Sequence, residues 1–346
     1  MRKKKMIWIT ILIILTGISF LFVPWSYLIL KYSPLSQTIQ SEIDRATSRY
    51  GFNGMLVYVD DEDGTNIYTS GYNNRDLKEP VDEDVLFKIA SISKLYMAVS
   101  ATKLIHQGIL NIDDTLADLL PQYKDSIAYA DQITLKLLIQ HRSGIHDYVD
   151  FLSFPWDNLP TDTDMVLELI LNTEPLFKPD ERYDYSNTNY LLLAKIMDDA
   201  LGYPHDQFIK TAILDPLDLK DTYYYYQYTN KEDVMSGYAV DYPLDLKEND
   251  HITPGGTMVA SIRDVGRFIR ALNDGSLLTQ EEQTLYSSLY TYDHTGLLPG
   301  YQSIARYDKE NDRVIIMFTN TSGKDRWHRF EAVYGRVLGI LARKNA

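Results

Sequence analysis

Within the stretch Phe87-Lys88-Ile89-Ala90-Ser91-Ile92-Ser93-Lys94, a serine and a lysine stand three residues apart. On a helix that spacing puts a hydroxyl and an amine on one face, a turn apart. A serine hydroxyl is a weak nucleophile at neutral pH and needs an adjacent base. A cation near a helix N-terminus also favours the alkoxide as it forms. Alone, a Ser-x-x-Lys pair is common, and it reads equally well as a solvated first turn.

Two further segments carry residue types that complete such chemistry. Tyr183-Asp184-Tyr185-Ser186-Asn187 precedes a helix predicted over 188–201. Tyr185 there brings a phenol toward the serine, and Asn187 brings an amide toward a substrate. The ordinary phenol pKa is about 10, and a neighbouring ammonium favours the phenolate, which makes it a candidate base. Asp293-His294-Thr295-Gly296-Leu297-Leu298-Pro299-Gly300-Tyr301 reads as an edge strand that lays a hydrogen-bonding rail beside the nucleophile. Gly296 there lets a substrate backbone approach closely. Taken singly, each has a blander reading: a packed tyrosine with an asparagine cap, and a satisfied histidine in a turn. His141, His146, Asp147 and His205 lack a metal-ligand spacing, and His141 and His146 read as structural loop residues. No metal or other cofactor is expected.

Ser-x-x-Lys, a Tyr-x-Asn element and a Lys-Thr-Gly-type element, in that order, form the signature of β-lactamases and penicillin-binding proteins. The chain resembles the class C β-lactamase-like branch of that serine-hydrolase family, which includes D-Ala-D-Ala carboxypeptidases and esterases. The likeness runs from about Phe52 to Ala342. It includes Ile133-Thr134-Leu135-Lys136-Leu137-Leu138-Ile139-Gln140-His141-Arg142-Ser143-Gly144, Phe177-Lys178-Pro179-Asp180 through Tyr190, Asp215-Pro216-Leu217, and Pro254-Gly255-Gly256-Thr257 through Phe268. Asp180 departs from the family's usual glycine, Arg142 from a common threonine, and Leu297 from a frequent glycine. His294 in place of lysine removes a permanent cation from the carboxylate-binding side.

The resemblance implies an acyl-enzyme on Ser91, with Lys94 and Tyr185 handling its proton and Asn187 orienting Lys94 and the acyl amide. It implies an oxyanion hole from the backbone N–H groups of Ser91 and Leu297, with His294 and Thr295 on the leaving-group side and Gly296 as a further substrate-binding residue. The implied substrates are cell-wall peptides or D-amino-acid esters and amides. A promiscuous carboxylesterase and a catalytically silent surface protein that binds wall polymer or peptide are the alternatives.

The elements that must position these residues follow from periodicity and caps. A helix is expected over 36–50, a strand pair over 52–59 and 67–72, and a helix over 88–107 ended by Gly108. Helical segments follow at 116–120, 134–141, 164–171, 188–201 and 206–213. Ser261 caps a helix to Asn273, strands return at 302–307 and 313–320, and a last helix covers 325–342. Strands, then helices, then strands predict an α/β (α+β) fold. It resembles the β-lactamase/DD-peptidase arrangement of an antiparallel sheet flanked by helices, with an all-helical insertion at about 105–255.

The 346 residues, 45% of them hydrophobic, suffice for one large domain, assigned to 33–346. A net charge of −14 argues against nucleic acid as a partner. Without cysteine, disulfides, thiolate metal sites and a cysteine nucleophile are excluded. Arg2, Lys3, Lys4 and Lys5 precede an apolar run from Met6 to about Leu30, broken by Pro24. That pattern predicts residues 1–32 as a basic stub and single-pass transmembrane anchor, with the catalytic domain on the extracytoplasmic side of the cell membrane.

Overall fold

The computed structural model describes residues 2–21, 23 and 25–344. Its centre is a six-stranded antiparallel sheet in the order Glu79–Pro80, Gly64–Asn74, Gly54–Asp61, Arg313–Thr319, Tyr301–Asp308 and His294–Leu298. The two middle strands come from opposite ends of the domain and pair from Met55↔Thr319 to Asp60↔Val314. Their sequences are continuous apolar runs rather than alternating ones, and both faces of these strands are covered. Met55, Val57, Val59, Ile315 and Met317 pack beneath the helices Ile39–Arg49 and Arg326–Lys344. Leu56, Tyr58, Val314, Ile316 and Phe318 face Phe87, Tyr96 and Phe268 on the other side.

That second face carries the helix Ser93–His106, which is buried along most of its length. A helix enclosed on all sides must satisfy its own polar groups. Ser100 donates to the Tyr96 carbonyl at 2.9 Å and Thr102 to the Ala98 carbonyl at 2.8 Å. The result is a rigid platform at whose N-terminal end Ser91 sits.

The helix predicted from Lys88 begins five residues later. Leu86–Lys88 is a strand, paired with Val259–Ser261, which in turn pairs with Thr222–Tyr223. Ala90 then takes φ +53°, and Ala90–Ile92 forms one 3₁₀ turn before the α-helix starts. The stretch between the two halves of the main sheet is therefore not wholly helical.

The N-terminal reading needs correction. Among the described residues, no helix is long and apolar enough to cross a membrane. The helix Arg2–Leu21 opens on its four cations, and the uncharged remainder from Met6 spans only about 24 Å at 1.5 Å per residue, against a hydrocarbon core of about 30 Å. The apolar residues beyond it belong to a separate helix, Trp25–Tyr32, docked on the domain: Leu30 is fully buried, and Arg336 donates to its carbonyl at 2.9 Å. The same guanidinium bonds the Ser33 and Pro34 carbonyls and forms a buried pair with Glu42 at 2.7 Å. The single-pass anchor, the membrane as a partner and the extracytoplasmic placement drawn from it are thus overturned. Pro24, read as the break in the apolar run, lies outside the described residues.

Candidate active site

Ser91 lies in the 3₁₀ turn and is partly exposed, held by the left-handed Ala90 before it. A non-glycine residue at positive φ is costly and persists only where its surroundings impose it. Here the Ile89 N–H bonds the Met258 carbonyl at 3.0 Å, and Ser93 Oγ bonds the Ala90 carbonyl at 2.6 Å.

Lys94, one turn on, is completely buried. Its Nζ lies 3.1 Å from Ser91 Oγ, 2.7 Å from Asn187 Oδ1 and 2.8 Å from the Gly255 carbonyl. Gly255 takes φ +82°, and a side chain there would press on Lys94 and Tyr190. Burial, opposed in part by the charge of Asp147, pulls the Lys94 pKa down to about 7. The neutral amine fits its three partners atom for atom. Two of its bonds go to the carbonyl oxygens of Asn187 and Gly255, and the third joins it to the Ser91 hydroxyl, the one partner that also has a proton to give once the amine is neutral.

Tyr185 Oη donates to Ser91 Oγ at 3.0 Å. Burial pushes its phenol well above the ordinary value, opposed by its hydrogen bond to Ser91, so the phenolate that a neighbouring ammonium was expected to favour is disfavoured here. His141, at φ +56°, stacks on Tyr185 with ring centroids 4.4 Å apart and accepts from the Ser186 N–H at 3.2 Å.

Asp147 is the site residue that sequence reasoning weighed only as a metal ligand. It is buried, burial raises its pKa, and its Oδ2 accepts from Asn187 Nδ2 at 2.7 Å. That bond turns the Asn187 carbonyl toward Lys94. Nothing in its spacing marks Asp147, because it reaches Asn187 through a loop forty residues away in sequence. Asp147→Asn frees the amide to rotate and is expected to lower kcat about tenfold to a hundredfold with little change in the melting temperature. Retention of more than half the wild-type kcat would remove Asp147 from the relay.

His294–Leu298 is the edge strand of the main sheet and runs against the Ser91 turn. A Cβ on Gly296 would lie 2.2 Å from Ser303 Oγ and 2.5 Å from the Ile89 carbonyl, so only glycine admits this approach. Strand pairing sets His294 and Gly296 opposite Ala305 and Ser303, and Thr295 and Leu297 opposite Ile304 and Gln302. Alternation therefore turns the Thr295 and Leu297 side chains to the other face, and Leu297 is 56% exposed. His294 approaches Tyr185 with ring centroids 6.3 Å apart. Its Nδ1 is 2.5 Å from the Thr295 carbonyl and its Nε2 is 2.9 Å from the Tyr290 hydroxyl. Burial, and then the charge of Lys94, lower its pKa to about 4, so its ring is neutral at pH 7. Among the described residues, no group of three or more His, Cys, Asp or Glu side chains is arranged to hold a metal ion.

The β-lactamase family model matches residues 37–291. A penicillin-binding protein of Bacillus subtilis is 25% identical over 299 residues, which cover 80% of this chain and 65% of that protein. A teichoic acid D-alanine hydrolase of Staphylococcus aureus is 26% identical over 255 residues, 72% of this chain and 59% of that protein. The chain thus spans somewhat less than two thirds of the length of these relatives. Among solved structures, D-amino acid amidase from Ochrobactrum anthropi superposes with a TM-score of 0.77 at 23% identity, covering 89% of this chain and 98% of that one. That likeness is one of fold.

Proposed function

This chain belongs to the β-lactamase family, a family of serine hydrolases, and from that premise we propose that it hydrolyses D-aminoacyl esters or amides, cell-wall peptides among them, through an acyl-enzyme on Ser91. The observation that carries the reading is the buried amine of Lys94, aimed at Ser91 Oγ from 3.1 Å with both its other partners obligate acceptors. In this reading Ser91 Oγ attacks the substrate carbonyl carbon while its proton passes to Lys94. The backbone N–H groups of Ser91 and Leu297 are assigned to the oxyanion, which collapses and expels the leaving group. Tyr185, bonded to Ser91 Oγ, relays the Lys94 proton to that departing atom, and the same pair in reverse activates the water that releases the acyl group. Asn187 holds Lys94 and the acyl amide, His294 and the Thr295 backbone flank the leaving group, and Gly296 lets the substrate backbone approach. Residues 33–346 are taken as the hydrolase unit.

The D-aminoacyl preference is supported by the activities for which the teichoic acid D-alanine hydrolase and the D-amino acid amidase are named. A general carboxylesterase is the second reading. The neutral His294 favours it, because that residue offers no fixed charge to a substrate carboxylate. Exposure to a fluorophosphonate and to a fluorescent penicillin, followed by peptide mapping, separates the two. Adducts from both on Ser91 are the expected result, and a fluorophosphonate adduct alone supports the esterase. Absence of any adduct on Ser91 sinks acyl transfer altogether.

A further inference from the structure

Two of the positions at which this chain departs from its family's pattern meet in space. Arg142 Nε donates to Asp180 Oδ1 at 2.5 Å, and its Nη2 donates to the Asp180 carbonyl at 2.6 Å. Asp180 itself sits at φ +66°, where glycine is the residue of least strain. The pair therefore replaces an unstrained turn with a fixed guanidinium. Only one edge of that guanidinium is used; no protein acceptor among the described residues bonds Nη1.

Arg142 lines a hollow of about 330 Å³ together with Gln140, Tyr183, Leu289, Tyr290, Thr291 and His294. His294 is the wall this hollow shares with the Ser91 site, since its ring lies 6.3 Å from that of Tyr185. Both nitrogens of His294 are committed to protein partners. Among the described lining residues Arg142 is thus the single permanent cation, in a hollow with room for a small anionic group and its carrier, on the side assigned to the leaving group.

We infer that Arg142 and this hollow form a subsite for an anionic oxygen group, phosphate or carboxylate, carried by the alcohol or amine that the acyl transfer releases. The inference rests on the acyl-transfer reading above. The fixed fork of an arginine suits such oxyanions, and its second edge supplies a charge that residue 294 does not.

Three substrates with one acyl group test it: D-alanyl esters of glycerol 1-phosphate, of glycolate and of glycerol. kcat/KM covers the steps through acylation, and a substitution in the protein leaves the esters' intrinsic reactivity unchanged. The change between wild type and variant in the ratio of kcat/KM for an anionic ester to that for the neutral ester therefore reads the subsite. Arg142→Met, and the pair Arg142→Thr with Asp180→Gly, are each expected to lower that ratio at least tenfold. A ratio within twofold of wild type in both variants overturns the subsite. The phosphate and carboxylate arms show which oxyanion it takes. Should the wild-type protein hydrolyse none of the three, the D-aminoacyl reading fails, and calorimetric binding of glycerol 1-phosphate and glycolate judges the subsite separately. Binding at least tenfold weaker to Arg142→Met supports it, and equal binding overturns it.

Discussion

Ser91→Ala is expected to lower hydrolysis of an activated D-alanyl ester by about 10⁴-fold or more, with the cooperative unfolding transition retained. The oxygen removed is the atom on which Lys94 and Tyr185 converge, at 3.1 and 3.0 Å, and neither has another reacting partner in the site. The side chain is small and partly exposed, so its loss opens no large cavity in the core. The Ala90 strain and the backbone bonds that position the turn do not involve Oγ. Steady-state kinetics with a p-nitrophenyl ester and a thermal melt give the two readouts. Turnover within tenfold of wild type would sink Ser91 as nucleophile.

Lys94→Met carries the second largest effect, a loss of about 10³-fold in kcat/KM, within the range expected when a positioned base is removed. Methionine occupies a similar volume but has no lone pair to offer Ser91, and it leaves Asn187 Oδ1 and the Gly255 carbonyl without their donor. The pH dependence has a definite sign. With the Lys94 pKa lowered to about 7, the amine is the base form above that value, so wild-type kcat/KM rises through about pH 7. The residual activity of Lys94→Met should lack that limb. Folding stability follows the same group. An unfolded lysine titrates near 10.4, so between about 7 and that value the unfolded chain binds more protons and stability rises with pH. Lys94→Met reduces that slope, and Lys88, also lowered to about 7 by burial, keeps its own share. An unaltered pH limb in the variant would show that Lys94 is not the group that titrates there.

The sheet was legible because its strands are written in local residue types. The expected strands at 52–59 and 67–72 overlap a hairpin that runs longer, Gly54–Asp61 with Gly64–Asn74, and closes on Asp61↔Gly64. Backbone pairing carries it through Asp60, Asp61, Gly64 and Thr65, between the two expected strands. The helix at Asn187–Leu201 and the helix capped by Ser261 stand within a residue of expectation, since caps and periodicity are local signals. Lys88 was misread as helical because its strand partner, Val259, is remote in the chain. Met6 to Leu30 was misread as one span because hydropathy cannot see that Leu30 belongs under Arg336.

The kinds of residue able to act, and their order along the chain, came from the sequence: a hydroxyl and an amine one turn apart, a phenol and an amide ahead of a helix, and a histidine and glycine on an edge strand. Their states depend on distance and solvent, and these exist only once the chain is folded. Burial makes Lys94 a base near pH 7 while it keeps Tyr185 a phenol and His294 neutral. Asp147 joined the site and Arg142 found Asp180 through loops that no spacing links. The physical reason is that side-chain type is a property of one residue, whereas desolvation and hydrogen-bond partnership are properties of a place where distant segments meet.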